Sequence, residues 1–192
     1  LKLFELARIC NVEKFIVAGS CFEYGRAGER YTFIPANAPL EPTQSYPCSK
    51  AAGSISFLQW ASEYNMSLRI LRIFHVYGPG ELDSRLWPSL KRAAMTGQDF
   101  AMTEGKQVRD FVHVEQVARE FLDQCRELHA LQTKTREIRH VGSGKPQSIL
   151  SFSQRCWKEW NASGNLLVGS IPYRKGEVMR YVPELGKPHI YS

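Results

Sequence analysis

The stretch Phe15-Ile16-Val17-Ala18-Gly19-Ser20 decides the fold. Its apolar residues follow one another without alternation and then give way to small ones, which is typical of a parallel strand covered on both faces. A helix over residues 2–9 precedes this strand, a helix over 45–65 follows it, and a second apolar strand spans 67–74. Helix, strand, helix and strand of these lengths indicate an α/β fold with a doubly wound parallel sheet.

The rest of the chain continues this alternation. Residues 28–44 carry three prolines and predict a loop. Residues after 160 are rich in Gly and Pro and predict irregular structure. Between these segments, apolar periodicity predicts helices over 84–96, 115–131 and 148–160, and strands over 109–114 and 136–141.

Composition places the chain among globular proteins. Of its 192 residues, 43% are hydrophobic and 23% charged, as is ordinary for a soluble domain. No apolar run approaches the ~20 residues needed to cross a bilayer, so we expect no membrane partner. The five cysteines form neither a CxxC pair nor a Cys/His cluster, which predicts reduced thiols in a cytoplasmic protein and no metal site.

The formal net charge of +6 suggests an anionic partner. The basic residues do not form a long run with interleaved aromatics, so nucleic acid is not expected. A few arginines in a pocket suffice to bind the phosphates of a small substrate. A solvated basic surface with no ligand explains the charge equally well.

Tyr46-Pro47-Cys48-Ser49-Lys50 is the segment with the clearest chemistry. In a helix it places a phenol and an ammonium one turn apart on one face. A fixed cation favours the phenolate form of a tyrosine, which can then take part in proton transfer. Ser20 ends the first strand, where open α/β sheets bind ligands, and its hydroxyl could hold a substrate oxygen beside Tyr46. Alone, each feature also fits a solvated helix start or a turn.

Five segments resemble, in order, the motifs of the extended short-chain dehydrogenase/reductase family, which includes NAD-dependent nucleotide-sugar epimerases and dehydratases. Together they span about residues 1–180, so the combined signal is much stronger than any one match. The segments are Ala18-Gly19-Ser20-Cys21-Phe22-Glu23-Tyr24-Gly25, Tyr46-Pro47-Cys48-Ser49-Lys50, Leu71-Arg72-Ile73-Phe74-His75-Val76-Tyr77-Gly78-Pro79-Gly80, Gln107-Val108-Arg109-Asp110-Phe111-Val112-His113-Val114 and Val141-Gly142-Ser143-Gly144-Lys145-Pro146.

The resemblance implies an NAD or NADP cofactor and roles for individual residues. Tyr46 would be the acid/base of a hydride-transfer reaction, with Ser20 as the catalytic serine. Lys50 would bind the nicotinamide ribose and favour the tyrosinate, and Phe74 would also lie at the cofactor. The reaction implied is that of an epimerase or a 4-ketoreductase, which these residues do not separate. A non-catalytic dinucleotide or sugar-nucleotide binding module of the same fold is the alternative.

The implied substrate is a nucleotide-diphospho-sugar. Arg109 and Arg174 resemble the family's arginines for the diphosphate, a role that suits the planar guanidinium fork. His75, Arg85 and Trp87 lie where the family lines its sugar-nucleotide pocket. An ordinary surface ion pair for each arginine, and an apolar helix face at Trp87, remain open.

Three features depart from the family pattern. The Gly-rich turn that holds the cofactor pyrophosphate is absent, so we expect a fragment that lacks the N-terminal strands, and NAD cannot be told from NADP. His75 stands where the family usually has Asn. Cys21 and Phe22 stand where its dehydratases carry an Asp-Glu pair, which disfavours 4,6-dehydration.

The resemblance also predicts how the chain is divided. Residues 1–78 and 107–145 would form an incomplete Rossmann-type core, and residues 79–106 and 146–192 a small substrate-binding lobe. A sheet without its first strands would expose an apolar edge and the helix faces that pack on it. A homodimer through the helices flanking the sheet is a further expectation.

Overall fold

The structure, a computed structural model, describes residues 2–191; Leu1 and Ser192, which the predicted domain bounds include, lie outside the described residues. The helices are α1 Lys2–Ile9, α2 Ser45–Glu63, α3 Leu86–Thr96, α4 Val114–Ala130 and α5 Ile149–Glu159. Short 3₁₀ helices span Cys21–Tyr24 and Arg26–Arg30. The strands are β1 Lys14–Ser20, β2 Ser67–Ile73, β3 His75–Tyr77, β4 Phe100–Met102, β5 Val108–His113, β6 Arg136–Val141, β7 Pro146–Ser148, β8 Leu166–Val168, β9 Arg180–Tyr181 and β10 His189–Ile190.

A four-stranded sheet in the order β1-β2-β6-β10 forms the centre of the fold. β1, β2 and β6 are mutually parallel, and β10 pairs antiparallel with β6. The register of β1 on β2 begins at Lys14 opposite Ser67 and ends at Ser20 opposite Ile73. The predicted α/β fold with a parallel sheet is therefore confirmed.

Side chains that alternate along β2 fill two cores, one on each face of the sheet. Leu68 and Ile70 pack with Phe4 of α1 and Ala61 of α2. On the other face, Leu71 packs with side chains of α4 and β5. Because β2 is covered on both sides, its residues from Ser67 to Arg72 are all buried, which is why its sequence shows no simple alternation.

β1 is less buried than its sequence predicts. Phe15, Ile16 and Val17 are only half-buried, and Ala18 is exposed. Among the described residues β1 pairs with β2 alone, so one of its edges has no neighbouring strand. The helix that precedes it exposes apolar side chains as well, with Leu3 72% exposed. The predicted cover on both faces is present, since Phe15 and Val17 pack against one core and Ile16 against the other. The burial is only partial because the outer edge of β1 is unpaired among the described residues.

A second group of short strands lies beside the central sheet. β3, β5 and β7 form one sheet, β9 adds to β5, and β4 pairs with β8. β8, β9 and β10 lie in the part predicted to be irregular, so that prediction was wrong. Strands of two or three residues are too short to show periodicity, and they form through pairing with distant segments. β10 comes from the predicted lobe yet joins the central sheet, and the domain division stays a prediction.

No helix among the described residues is both long and apolar enough to span a membrane. All five cysteines are free thiols; Cys21 and Cys156 are buried, and Cys10, Cys48 and Cys125 are exposed.

A buried ion pair joins the middle strand to its neighbour. Arg69 of β2 is 1% exposed and pairs with the buried Glu137 of β6. A second branch of its guanidinium donates to the side chain of Gln124 at 2.7 Å and lies 3.2 Å from Glu127, both in α4. Arg139 also lies 3.3 Å from Glu137 and is one-third exposed.

We predict that Arg69→Met destabilises the fold by about 3 kcal/mol, because it leaves the carboxylate of Glu137 buried with only Arg139 nearby. The free energy of unfolding in urea measures this. The double variant Arg69→Met, Glu137→Leu should recover most of the loss, since no unpaired charge is then buried. Arg126→Ala is the control, because Arg126 and its partner Asp123 are exposed and such pairs contribute about 0–1 kcal/mol. Equal losses in Arg69→Met and in the double variant would contradict the prediction.

Candidate active site

A cavity of about 640 Å³ lies at the carboxyl ends of β1 and β2. This is where open α/β sheets bind their ligands. Eight of the nine predicted site residues line it: Ser20, Tyr46, Lys50, Phe74, His75, Arg85, Trp87 and Arg109. The ninth, Arg174, does not.

Tyr46 and Lys50 enter the cavity from the first turn and a half of α2. Pro47 fits there because the first helical turn has unpaired N–H groups in any case. The Nζ of Lys50 donates to the backbone oxygen of Ala18 at 3.0 Å, which ties the start of α2 to β1. Tyr46 is 55% exposed, and within residues 2–191 its hydroxyl has no hydrogen-bond partner. The phenol is therefore available to a ligand.

Ser20 is the last residue of β1 and the N-cap of the 3₁₀ helix Cys21–Tyr24. Its Oγ accepts a hydrogen bond from the backbone N–H of Phe22 at 3.3 Å. That contact leaves the hydroxyl hydrogen free to be donated. The local turn therefore fixes the Ser20 side chain, and its hydroxyl can donate a hydrogen bond to a ligand in the cavity.

Glu23, which the sequence analysis did not select, anchors this corner of the site. Its carboxylate is fully buried and accepts hydrogen bonds from the backbone N–H of Ser20 at 2.7 Å and from the hydroxyl of Ser54 at 2.8 Å. It also pairs with Arg72 of β2 at 2.9 Å. The spacing of Ser20 and Glu23 is that of a capping box, which could have indicated this contact.

Arg72 extends the same network away from the cavity. Its guanidinium lies over the ring of Tyr24, 4.4 Å from the ring centre. The hydroxyl of Tyr24 contacts the Nε2 of His140 at 2.6 Å, and the Nδ1 of His140 contacts the backbone oxygen of Glu184 at 2.9 Å. Burial lowers the pKa of His140 to about 4. The imidazole is therefore neutral at neutral pH, donating through Nδ1 and accepting from Tyr24.

Arg109 supplies a fixed cation to the cavity. It is 8% exposed, and its Nη2 donates to the backbone oxygen of Val178 at 2.6 Å. The same nitrogen lies 3.3 Å from Glu177. Burial lowers the pKa of Arg109, and the carboxylate of Glu177 opposes that effect. Arg85 is exposed at the N-cap of α3 and provides a second cation at the cavity wall.

Arg174 lies outside the cavity on the exposed loop before β9. Its backbone oxygen accepts from the N–H of Glu177 at 3.1 Å, and Glu177 in turn pairs with Arg109. Arg174 is thus connected to the site through this loop and contributes no lining surface to it.

His75 gives the cavity a neutral aromatic wall. Burial lowers its pKa to about 3, and the charges of Arg109 and Arg85 act in the same direction. Its ring packs edge-on against Phe22 and Phe111. The Nδ1 atom is enclosed and has no hydrogen-bond partner within residues 2–191. A neutral imidazole, like an amide, can donate or accept, although its shape differs from the family's usual Asn.

In the described part of the chain, no group of three or more His, Cys, Asp or Glu side chains is placed to hold a metal ion.

An acidic residue that the sequence analysis did not select, Glu81, also lines the cavity. Its Oε2 is enclosed, and no described residue forms a hydrogen bond with it.

The chain is similar in sequence to curated dehydratases and epimerases of nucleotide sugars. The chain is 25% identical over 193 aligned positions to dTDP-D-glucose 4,6-dehydratase of Bos taurus; the alignment covers 97% of this chain and 52% of that protein. The chain thus spans about half the length of the curated relatives it matches. Among those relatives are both dehydratases and 4-epimerases of nucleotide sugars.

Two solved structures share the fold. A UDP-N-acetylglucosamine 4-epimerase from Methanobrevibacter ruminantium, in complex with UDP-N-acetylmuramic acid, matches 96% of this chain and 58% of its own, with a TM-score of 0.83 and 19% identity. MoeE5, in complex with UDP-glucuronic acid and NAD, matches 95% of this chain and 59% of its own, with a TM-score of 0.79 and 24% identity.

The family comparison covers most of the chain. Residues 1–135 match the model of the family described as "NAD dependent epimerase/dehydratase family". This range includes the Tyr46–Lys50 pair, the carboxyl ends of β1 and β2, and Arg109, all of which meet at the cavity. The chain therefore belongs to the NAD-dependent epimerase/dehydratase family.

Proposed function

We propose that the protein is an NAD(P)-dependent epimerase or 4-ketoreductase that acts on a nucleotide-diphospho-sugar. The observation that carries the proposal is that Ser20, Tyr46, Lys50 and Arg109 all line the same cavity. A ligand bound in this cavity can therefore contact both the residues suited to proton transfer and a cation suited to phosphate.

Each residue has a chemical task in this proposal. Arg109 and Arg85 bind the diphosphate, and the fixed position of Arg109 orients the sugar. Ser20 donates a hydrogen bond to the reacting sugar oxygen. Tyr46 removes the proton from that hydroxyl, or returns it to the ketone.

The residues at the end of β1 fit the nicotinamide end of the cofactor. Lys50 has three N–H donors and uses one on Ala18, which leaves donors for ribose hydroxyls. Tyr46 and Phe74 line the same wall. The bound cofactor supplies the hydride acceptor or donor. The Gly-rich turn that the family uses for the pyrophosphate is not in residues 1–192.

Dehydration of the sugar is not part of the proposal. Cys21 and Phe22 hold the positions of the dehydratase acid pair, and burial strongly raises the pKa of the Cys21 thiol. That thiol is therefore protonated and enclosed. A non-catalytic dinucleotide or sugar-nucleotide binding module remains the second candidate, and His75 in place of the family's usual Asn favours it. Homodimer formation stays a prediction.

We predict that Tyr46→Phe lowers kcat by a factor of at least about 10², because general acid–base groups typically contribute that much or more. The complete gene product, with whatever sequence flanks residues 1–192, is assayed with a panel of UDP- and dTDP-sugars. NAD(P)H absorbance follows reduction, and chromatography of the sugar products follows epimerisation. Tyr64→Phe is the matched control, since Tyr64 follows α2 and does not line the cavity. Turnover by Tyr46→Phe at the rate of the unaltered protein would exclude the mechanism, and binding without turnover by the unaltered protein would favour the binding module.

We further predict that Glu23→Gln lowers kcat by about tenfold and leaves KM within about twofold. The change weakens the ion pair with Arg72 and the hold on Ser20, and misplacement of a reacting group by a fraction of an ångström costs rate rather than binding. Ser54→Ala, which removes a single donor to the same carboxylate, should have the smaller effect. Near-ultraviolet circular dichroism checks that both variants are folded. A rise in KM alone would show that Glu23 does not position the reacting groups.

A further inference from the structure

Among the described residues, two enclosed polar atoms of cavity-lining side chains have no hydrogen-bond partner. They are the Nδ1 of His75 and the Oε2 of Glu81, and both residues line the cavity. Buried polar side-chain atoms nearly always have a hydrogen-bond partner. Residues that line a cavity and keep an unsatisfied polar group are candidates for contact with a ligand or a bound water. The two side chains therefore indicate which polar groups a ligand has to present to them.

Glu81 is held in the loop between β3 and α3. Its backbone N–H donates to the oxygen of Gly78 at 3.3 Å, and the N–H of Arg85 donates to the oxygen of Leu82 at 2.9 Å. The side chain is half-buried. Burial raises the pKa of Glu81, and the charge of Arg85 opposes this effect. Within the described residues Glu81 takes part in no ion pair shorter than 4.0 Å, so its carboxylate is not neutralised by a direct contact.

The chemistry of a carboxylate restricts what it can meet. An ionised carboxylate only accepts hydrogen bonds, so a ligand group that contacts Glu81 has to be a donor. Arg85, Arg109 and Lys50, which also line the cavity, are donors and suit phosphate oxygens. A diphosphate offers no donor at neutral pH and repels a carboxylate. If the proposed function holds, the hydroxyls of the sugar ring are the donors that remain.

We propose that Glu81 is a specificity-determining residue that accepts hydrogen bonds from the hydroxyls of an uncharged hexose and selects against a hexuronate. The sugar carboxylate of a hexuronate would replace a donor with a like charge inside a partly desolvated cavity, where such repulsion is poorly screened. The neutral ring of His75 cannot offset that charge. This inference rests on the proposed nucleotide-sugar substrate and adds the class of sugar.

The test compares three ligands that share one nucleotide: UDP, UDP-glucose and UDP-glucuronate. Isothermal titration calorimetry on the complete gene product gives the dissociation constant of each for the unaltered protein, Glu81→Gln and Asp83→Asn. Asp83→Asn is the matched control, because Asp83 lies in the same loop and is exposed, and it does not line the cavity. If the turnover panel selects thymidine, the dTDP counterparts take the place of the UDP ligands.

We expect the unaltered protein to bind UDP-glucose at least about tenfold more tightly than UDP-glucuronate, a ratio that corresponds to about 1.4 kcal/mol. Glu81→Gln should reduce this preference by about tenfold, through weaker binding of the hexose and tighter binding of the hexuronate. Binding of UDP alone should change by less than about twofold, because UDP lacks the sugar. Asp83→Asn should leave the preference within about twofold of its original value.

Several outcomes would overturn the inference. An equal or greater affinity for the hexuronate in the unaltered protein would do so, as would an unchanged preference in Glu81→Gln. Tighter binding of all three ligands by Glu81→Gln would place Glu81 at the diphosphate instead. Turnover of a nucleotide sugar together with any of these results overturns the role of Glu81 alone. Absence of both binding and turnover across the whole panel overturns the proposed function, and the inference with it.

Discussion

The ion pair between Glu23 and Arg72 is the contact on which the geometry of the site depends. Both groups are buried, and they join the end of β1, the end of β2 and the middle of α2, through Ser54. A carboxylate that loses its partner in such a place is strongly unfavourable, so the arrangement is tightly specified. Ser20 and the helix that carries Tyr46 are thereby placed relative to each other before any ligand arrives.

A few side chains determine the distribution of charge in the cavity. Arg109 is held by a backbone oxygen and a carboxylate, which fixes the direction of its charge. His75 lies in the same cavity and is kept neutral by burial and by the nearby arginines. A neutral ring beside fixed cations leaves the net positive charge to the guanidinium groups. The same cavity also presents the carboxylate of Glu81, on which the charge of Arg85 acts.

Much of this architecture follows from sequence patterns, and the exceptions have physical causes. The strand Arg136–Val141 and helices such as Val114–Ala130 were predictable because periodicity is clear over six residues or more. β9 and β10 were not, because two-residue strands exist only through pairing with segments far along the chain. Ser20 and Tyr46 were found through motif spacing. Glu23 could have been found from its capping-box spacing with Ser20. Glu81 was missed because a single acidic residue gives no sign of burial until the fold encloses it.

The hydrogen bond from Lys50 to the carbonyl of Ala18 has a thermodynamic consequence. A lysine side chain has many rotamers in solution, and fixing it on binding costs entropy. Here the ammonium is already directed by β1 in the absence of ligand, so that loss of freedom accompanies folding. The site is preorganised at this position, and ligand association there proceeds without ordering a long flexible chain.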